Sequence, residues 1–147
     1  MSNVNITINE QQGRKFARTG SPWEEAVGKS RAVRVGNMIF ISGTVGINPD
    51  GTFSPTVAEQ TRRSLEIICS AVEALGGSLN HVVRTRFFLT HISDWEEAGR
   101  VHAATFRDLR PACTMVQVAA LVGSAAVEIE ADAVVPDTKS GSELYMA

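Results

Sequence analysis

Residues 57–75 carry apolar side chains at intervals of three and four, which is the period of an α-helix with one buried face. Charged side chains occupy the opposite face, and Gly76-Gly77 follows as a pair that permits the left-handed backbone common at helix ends. A helix with a single apolar stripe must bury it against another layer. The remaining chain therefore has to supply that layer. The stripe consists of Thr61, Leu65, Ile68, Cys69, Val72 and Leu75, and Cys69 is expected to fill the core.

The covering layer is predicted to be a β-sheet, because runs with strand character flank the helix on both sides. A second helix is predicted to start at the capping-box pattern Ser93-Asp94-Trp95-Glu96 and to end near Arg107, with Pro111 beyond it. The strands are predicted at Arg31–Val35, Met38–Ser42, His81–Thr90, Ala112–Leu121 and Ala126–Val135.

The predicted order is β-β-α-β-α-β-β within a single domain, residues 1–147. Two helices covering one face of a mostly antiparallel sheet form an α+β arrangement. Residues 1–28 are predicted to be an N-terminal extension with one strand at most, and residues 136–147 a flexible tail. Two helices cannot cover both faces of such a sheet, so self-association is expected.

The composition excludes several classes of function. The 147-residue chain has a formal net charge of −2 and no cluster of Lys and Arg, so no nucleic-acid partner is expected. No apolar run is long enough for a membrane span, and the polar N-terminal stretch lacks the apolar region of a signal peptide. Two cysteines are too few for a disulfide framework, so reduced thiols and a cytoplasmic location are expected. His81, His91 and His102 follow no zinc spacing, and neither a metal nor another cofactor is predicted.

The last two predicted strands carry the side chains best suited to catalysis or ligand binding. Glu128, Glu130 and Asp132 share one face of the final strand, either as a solvated face or as partners for Arg84 and Arg86 on another strand. In RPACTMVQV, which has the character of a buried strand, the same period places Cys113, Met115 and Gln117 on one face. Cys113 is either a small core filler or a residue that lines a pocket. A nucleophilic role is disfavoured, since the sequence shows no histidine or cation that would activate it.

Five stretches occur in the order found in one known family: GNMIFISGTVGINPDG, AEQTRRSLE, VVRTRFFLTHISDWEE, RPACTMVQVAAL and VEIEADAV. From residue 31 to residue 135 the chain resembles the YjgF/Rid family, the reactive-intermediate deaminases also described as L-PSP endoribonucleases. The resemblance implies a chorismate-mutase-like fold and a homotrimer whose sheets form a central barrel. It also implies small-molecule pockets at the subunit interfaces, which would cover the second face of the sheet.

The resemblance implies roles for particular residues. Glu128 matches the family's water-orienting acid, Gly43 with Thr44 matches a backbone segment that lines the pocket, and Trp95 matches an aromatic residue there. In the deaminase branch an arginine after Pro-Ala of the penultimate strand holds the substrate carboxylate. Cys113 stands at that position, so the chain resembles an arginine-lacking subgroup.

Other pocket positions also depart from the deaminase branch. Cys113 and Met115 are predicted to line the pocket, and a pocket asparagine is replaced by Gly99. The nearest candidates for a pocket tyrosine are Lys29 and Trp23, and Trp23 is either a packing anchor for its loop or a stacking partner for a ligand.

Three functions fit these features. The first is hydrolysis of the C=N bond of an imine or enamine on a non-standard substrate, or a related isomerase or cyclase reaction, with Glu128 as the catalytic acid/base. The second is a non-catalytic trimer that binds a metabolite. The third, endoribonuclease activity, is disfavoured by the acidic pI of about 5.9 and by the lack of a basic, aromatic stripe.

Overall fold

The computed structural model describes residues 4–137, which form a seven-stranded sheet and three α-helices. In chain order these are β1 (Thr7–Gln11), β2 (Arg14–Arg18), α1 (Pro22–Val27), β3 (Ala32–Val35), β4 (Met38–Val45), α2 (Val57–Ala74), β5 (Val82–Leu89), α3 (Trp95–Phe106), β6 (Ala112–Gln117) and β7 (Val127–Val134). The strand order is β1-β2-β3-β4-β7-β5-β6, with every neighbouring pair antiparallel except β5 and β6. The predicted α+β fold is confirmed. None of the helices within residues 4–137 is long and apolar enough to cross a membrane.

The core lies between one face of this sheet and the pair α2 and α3. Strand β7 shows most clearly how one face of the sheet is buried, because apolar and acidic residues alternate along it from Val127 to Ala133. Its apolar members are fully buried on the helix side: Val127, Ile129, Ala131 and Ala133. Helix α2 is also tied to β4, where the hydroxyl of Ser64 donates to the carbonyl of Thr44 at 2.8 Å. The amphipathic helix predicted at residues 57–75 is thus confirmed.

The N-terminal segment is richer in structure than the sequence suggested. The prediction of one strand at most in residues 1–28 is wrong, because β1 and β2 form a hairpin and α1 follows. Gln12 and Gly13 both have positive φ, 54° and 73°, which suits the two-residue turns that match strand twist. Strand β1 is exposed at every residue, so it lacks the apolar alternation by which strands are recognised.

Three local predictions also need correction. Strand β6 ends at Gln117, and it is an exposed sheet edge rather than a buried strand, because only β5 pairs with it. Helix α3 begins after a single 3-10 turn, and Asp94 before it makes no side-chain capping bond, so the expected capping box does not form. Cys69 is half-buried at the margin of the α2 stripe, near Glu73. Burial, reinforced by Glu73, raises the pKa of the Cys69 thiol to about 11, so the thiolate is scarce at neutral pH.

Residues 4–137 leave the sheet face opposite α2 and α3 uncovered. It combines partly exposed apolar side chains, such as Met38 and Phe40 on β4, with a charged network between β5 and β7. Arg86 contacts Glu130 at 3.2 Å and Asp132 at 3.3 Å, and Arg84 lies 3.9 Å from Asp132. Of the two alternatives for these acidic residues, pairing with arginines of another strand is confirmed.

His102 on α3 is held inside the core by aromatic and hydroxyl neighbours. Its ring is edge-on to Phe87 at a centroid distance of 5.4 Å and lies 4.6 Å from Phe106. Its Nε2 is 2.9 Å from the hydroxyl of Thr85, which is fully buried. Burial lowers the pKa of His102 below its usual value, so the fold favours the neutral ring.

This environment predicts a pH-dependent stability. The unfolded chain binds a proton at His102 more readily than the folded chain does. The contribution of His102 to the free energy of unfolding should therefore be complete above a pH of about 6.5 and decrease as the pH falls through and below that value. The measurement is urea unfolding of the wild type and of His102→Gln between pH 5 and pH 8. His81 and His91 are present in both proteins, so the difference between the two proteins reports on His102. The variant should show the shallower pH dependence, and equal slopes would contradict the assignment.

Candidate active site

The candidate site begins at an irregularity in β4. Between the pairs Ile41–Ala131 and Thr44–Ile129, β4 contains two residues where β7 contains one. The additional residue makes a β-bulge, a feature that bends a strand locally and re-aims its side chains. Gly43 lies in this bulge.

Gly43 provides the space in which the carboxylate of Glu128 rests. A Cβ atom at position 43 would lie 2.5 Å from Oε1 of Glu128 and 2.9 Å from its Cδ. Any other residue at this position would push the Glu128 side chain away. The half-buried carboxylate of Glu128 is therefore positioned against bare backbone.

Glu128 differs from the other two acids on its face of β7. Those two are paired with arginines of β5, whereas the β5 residue opposite Glu128 is Phe88. Within residues 4–137, Glu128 has no ion-pair partner. The register of the sheet thus leaves this one carboxylate available for chemistry.

A buried ion pair builds the wall beside Glu128. Arg31 and Glu24 are 4% and 5% exposed, and their side chains meet at 3.4 Å. The same guanidinium donates to the carbonyl of Gly43 at 2.6 Å and to the hydroxyl of Thr44 at 3.0 Å. Glu24 in turn accepts from the backbone N–H of Thr19 at 3.0 Å and from its hydroxyl. One pair therefore joins α1, the end of β2 and the β4 bulge.

Lys29 reaches the same region from the segment after α1. Burial lowers the pKa of Lys29, and the neighbouring positive charge of Arg31 lowers it further, while Glu128 and Glu24 act in the opposite direction. Its ammonium group has no hydrogen-bond or ion-pair partner in the described part of the chain. Lys29 is thus a second ionisable group near Glu128 that the fold leaves free.

These residues surround a cavity of about 150 Å³. At about 30 Å³ per water molecule, the cavity within one chain has room for about five waters or a small organic group. Glu24 lies behind the cavity wall and does not line it, and the residues of the polar wall are Thr19, Ser21, Lys29, Arg31, Gly43, Thr44 and Glu128. The apolar wall consists of Trp23, Val27, Val45, Ile47, Ile67 and Val122.

The structure brings together half of the residues that the sequence singled out. Gly43, Thr44 and Glu128 all line this cavity. Trp23 and Lys29, which were considered only as candidates for a tyrosine position, line it as well. The aromatic ring of Trp23 therefore faces the cavity rather than serving only as an anchor for its loop.

Trp95, Cys113 and Met115 lie elsewhere within the chain. Strand β6 is two strands away from β7, and its Cys113 and Met115 are in register with β5 residues buried under the helices. Cys113 is exposed at the sheet edge, and Met115 packs towards α3 near Gly99. Trp95 is 52% exposed at the start of α3. Their predicted role in binding a ligand remains a prediction.

Sequence reasoning missed the ion pair of Arg31 and Glu24. A charged residue at the first position of a predicted strand is usually solvated, and nothing in the spacing links it to a glutamate seven positions earlier. The pattern Ser21-Pro22, an N-capping residue followed by proline at the first helical position, was the available signal for α1. Among the residues that the structure describes, no three His, Cys, Asp or Glu side chains are grouped to hold a metal ion.

Comparisons with known proteins place this geometry in context. A family model described as Endoribonuclease L-PSP matches residues 19–135. The mouse protein named 2-iminobutanoate/2-iminopropanoate deaminase is 36% identical over 107 residues, which cover 71% of this chain and 79% of the mouse protein.

Solved structures agree with the sequence comparison. The crystal structure of Rv2704 from Mycobacterium tuberculosis, described as a member of the YjgF/YER057c/UK114 family, is 45% identical with a TM-score of 0.77 and covers 83% of this chain and 99% of its own. The structure described as E. coli TdcF with bound serine is 32% identical with a TM-score of 0.69, covering 73% of this chain and 87% of its own.

The buried pair predicts a large effect on stability. Replacing Arg31 with Met leaves the Glu24 carboxylate buried without its counter-charge, which typically costs about 3–5 kcal/mol. The free energy of unfolding of Arg31→Met, measured in urea, should fall by about this amount. The surface pair of Arg63 and Glu66 provides the control, because Glu66 is half exposed. Glu66→Gln should change the value by less than about 1 kcal/mol. Equal effects of the two substitutions would show that the Arg31–Glu24 pair does not anchor the cavity wall.

Proposed function

The chain belongs to the YjgF/Rid family, whose model is described as Endoribonuclease L-PSP, and from this premise we propose that the cavity beside Glu128 hydrolyses the C=N bond of a small imine or enamine. The observation that carries the proposal is the unpaired carboxylate of Glu128, held over Gly43 in a partly apolar cavity. The name of the mouse relative supports the reaction class, and the serine bound to E. coli TdcF supports a ligand of amino-acid size.

The proposed reaction needs few catalytic groups. A water molecule next to Glu128 attacks the carbon of the C=N bond, and the carboxylate accepts its proton as general base. The nitrogen then receives a proton and departs as ammonia, so that imine and water become a carbonyl compound and ammonia.

The substrate is proposed to differ from that of the arginine-bearing relatives. Cys113 occupies the position at which the deaminase branch has its carboxylate-binding arginine, and a charge-assisted contact of that kind is worth about 1.5–3 kcal/mol. Without this contact the chain is expected to turn over simple amino-acid-derived imines more slowly than those relatives do.

We also propose a homotrimer with the ligand sites at its interfaces. No element among the described residues packs on the sheet face that carries Met38 and Phe40, and these side chains are 40% and 44% exposed. Trp95, Cys113 and Met115 lie away from the cavity within one chain, so they would join Glu128 only if a neighbouring copy presented them.

Sedimentation tests the assembly. The full chain should sediment as a trimer at micromolar concentration, because the exposed apolar side chains of the sheet face become buried on association. Phe40→Glu should shift the population towards smaller species by placing a charge in that interface. A wild type that sediments as a stable monomer would contradict the proposal.

Replacement of Glu128 tests the reaction. Glu128→Gln keeps the shape of the side chain but cannot accept a proton, so ammonia release from an enzymatically generated imine should fall about 10²–10⁴-fold. The matched control is Glu130→Gln, on the same face of the same strand but paired with Arg86. It should retain activity.

A second pair of variants tests the positioning of Glu128. Gly43→Ala places a Cβ against the carboxylate and should reduce activity with little change in the thermal melt, because the displaced atoms end a flexible side chain. Gly13→Ala is the control and should retain activity, since Gly13 lies in the β1–β2 turn outside the cavity and its added Cβ would meet no atom within 4 Å. Full activity of Glu128→Gln would contradict the proposal. A wild type that binds imine-derived products without any turnover would favour the metabolite-binding alternative.

A further inference from the structure

Lys29 lines the cavity, and the proposed reaction gives its amine no role. The chain leaves α1 at Gly28, which has a positive φ of 68°, and the backbone N–H of Lys29 donates to the carbonyl of Glu24 at 2.9 Å. This turn carries the Lys29 side chain into the cavity, beside Trp23 and Val27. A long cationic side chain normally extends into water, so its inward placement needs a reason.

Three properties of this position favour a reactive amine. The amine is partly desolvated, and it lies near the fixed charge of Arg31, and both conditions lower the pKa of Lys29. Arg31 is itself held by Glu24, so its charge cannot move away. The groups that act against this effect are the carboxylates of Glu128 and Glu24. A lysine becomes a nucleophile towards carbonyl compounds when it is placed in an apolar site or next to another cation.

We propose that the amine of Lys29 captures small aldehydes and ketones as a Schiff base in this cavity, with Glu128 as its proton carrier. Nζ attacks the carbonyl carbon, and a C–N bond forms to give a carbinolamine. Glu128 in its acid form then protonates the hydroxyl, the C–O bond breaks, and water leaves. The nitrogen loses its remaining proton, so amine and carbonyl become imine and water. Lys29 and Glu128 line the same cavity of about 150 Å³ and form no ion pair in the described part of the chain, so both groups are available to a small carbonyl compound bound there.

The same amine would give the hydrolysis a covalent route. Attack of Lys29 on a substrate imine transfers the carbon to Nζ and releases ammonia, and water then cleaves the lysine imine to the carbonyl product and the free amine. This catalytic use rests on the proposed function, whereas capture of a carbonyl compound by Lys29 does not.

Reductive trapping tests the proposal directly. The chain contains three lysines, Lys15, Lys29 and Lys139, and Lys15 is exposed on β2, so it serves as an internal reference. The full chain is incubated at pH 7 with propanal and sodium cyanoborohydride, which reduces an imine to a stable propylamine, and peptides are mapped by mass spectrometry. Lys29 should gain the propyl group faster than Lys15 in the folded protein, and the preference should disappear in urea.

The variants separate an imine-forming lysine from a simple cation. Lys29→Arg keeps the positive charge but cannot form an imine, and Lys29→Met removes both the charge and the amine. Thermal melts confirm that each variant is folded. Both should lose the label at this position and lower imine hydrolysis, whereas Lys15→Arg should leave hydrolysis unchanged. Glu128→Gln should slow labelling of Lys29 but not of Lys15.

Each outcome bears on one proposal. Labelling of Lys29 no faster than Lys15 would overturn the capture of carbonyl compounds. Full activity of Lys29→Arg would overturn the covalent route of hydrolysis and would indicate a cation that binds an anionic substrate. Loss of hydrolysis in Glu128→Gln without selective labelling of Lys29 would leave the proposed function standing and this inference refuted. Selective labelling of Lys29 in a protein with no imine hydrolysis would support the inference and refute the proposed function.

Discussion

The alternation of apolar and acidic residues along β7 governs both the fold and the candidate site. This strand pairs with β4 on one side and β5 on the other, and its apolar residues form the centre of the core under α2 and α3. Its three carboxylates must then lie together on the opposite face, where repulsion among them has to be balanced. Arginines of β5 balance two of them. The third, Glu128, meets Phe88 in the register and is left to the cavity.

The cavity depends on a segment that the sheet itself does not need. Residues before β3 supply α1, Lys29 and the buried pair of Arg31 and Glu24, and these groups form one side of the cavity. Arg31 also holds the carbonyl of Gly43, the residue over which Glu128 rests. Glu128 therefore comes from a central strand of the sheet, and Lys29 and Arg31 come from the segment between α1 and β3.

The parts of the structure that the sequence predicted are those with a strong period. The stripe of α2 and the alternation of β7 each bury one side of an element, so both could be recognised from the order of residues alone. Strands β1 and β2 were not predicted because β1 is an exposed edge strand and β2 fully buries only Ala17, so neither shows the alternation. The short helix α1 buries only one residue, Glu24. In the site, Gly43, Thr44 and Glu128 were recognisable from the family resemblance. The contact between Arg31 and Glu24 was not, because it depends on how α1 folds back onto the sheet.

The exposed position of β6 has a consequence for the behaviour of the protein in solution. A sheet that does not close leaves a row of backbone donors and acceptors at each edge, and such edges promote aggregation by pairing with other chains. Strand β1 carries Glu10 and lies next to the basic residues of β2, which discourages such pairing. Strand β6, ACTMVQ, has no charged residue and no proline within it, and its Val116 is exposed. Aggregation of partly folded chains is therefore expected to start at β6, and a substitution of Thr114 by lysine is the simplest way to protect that edge.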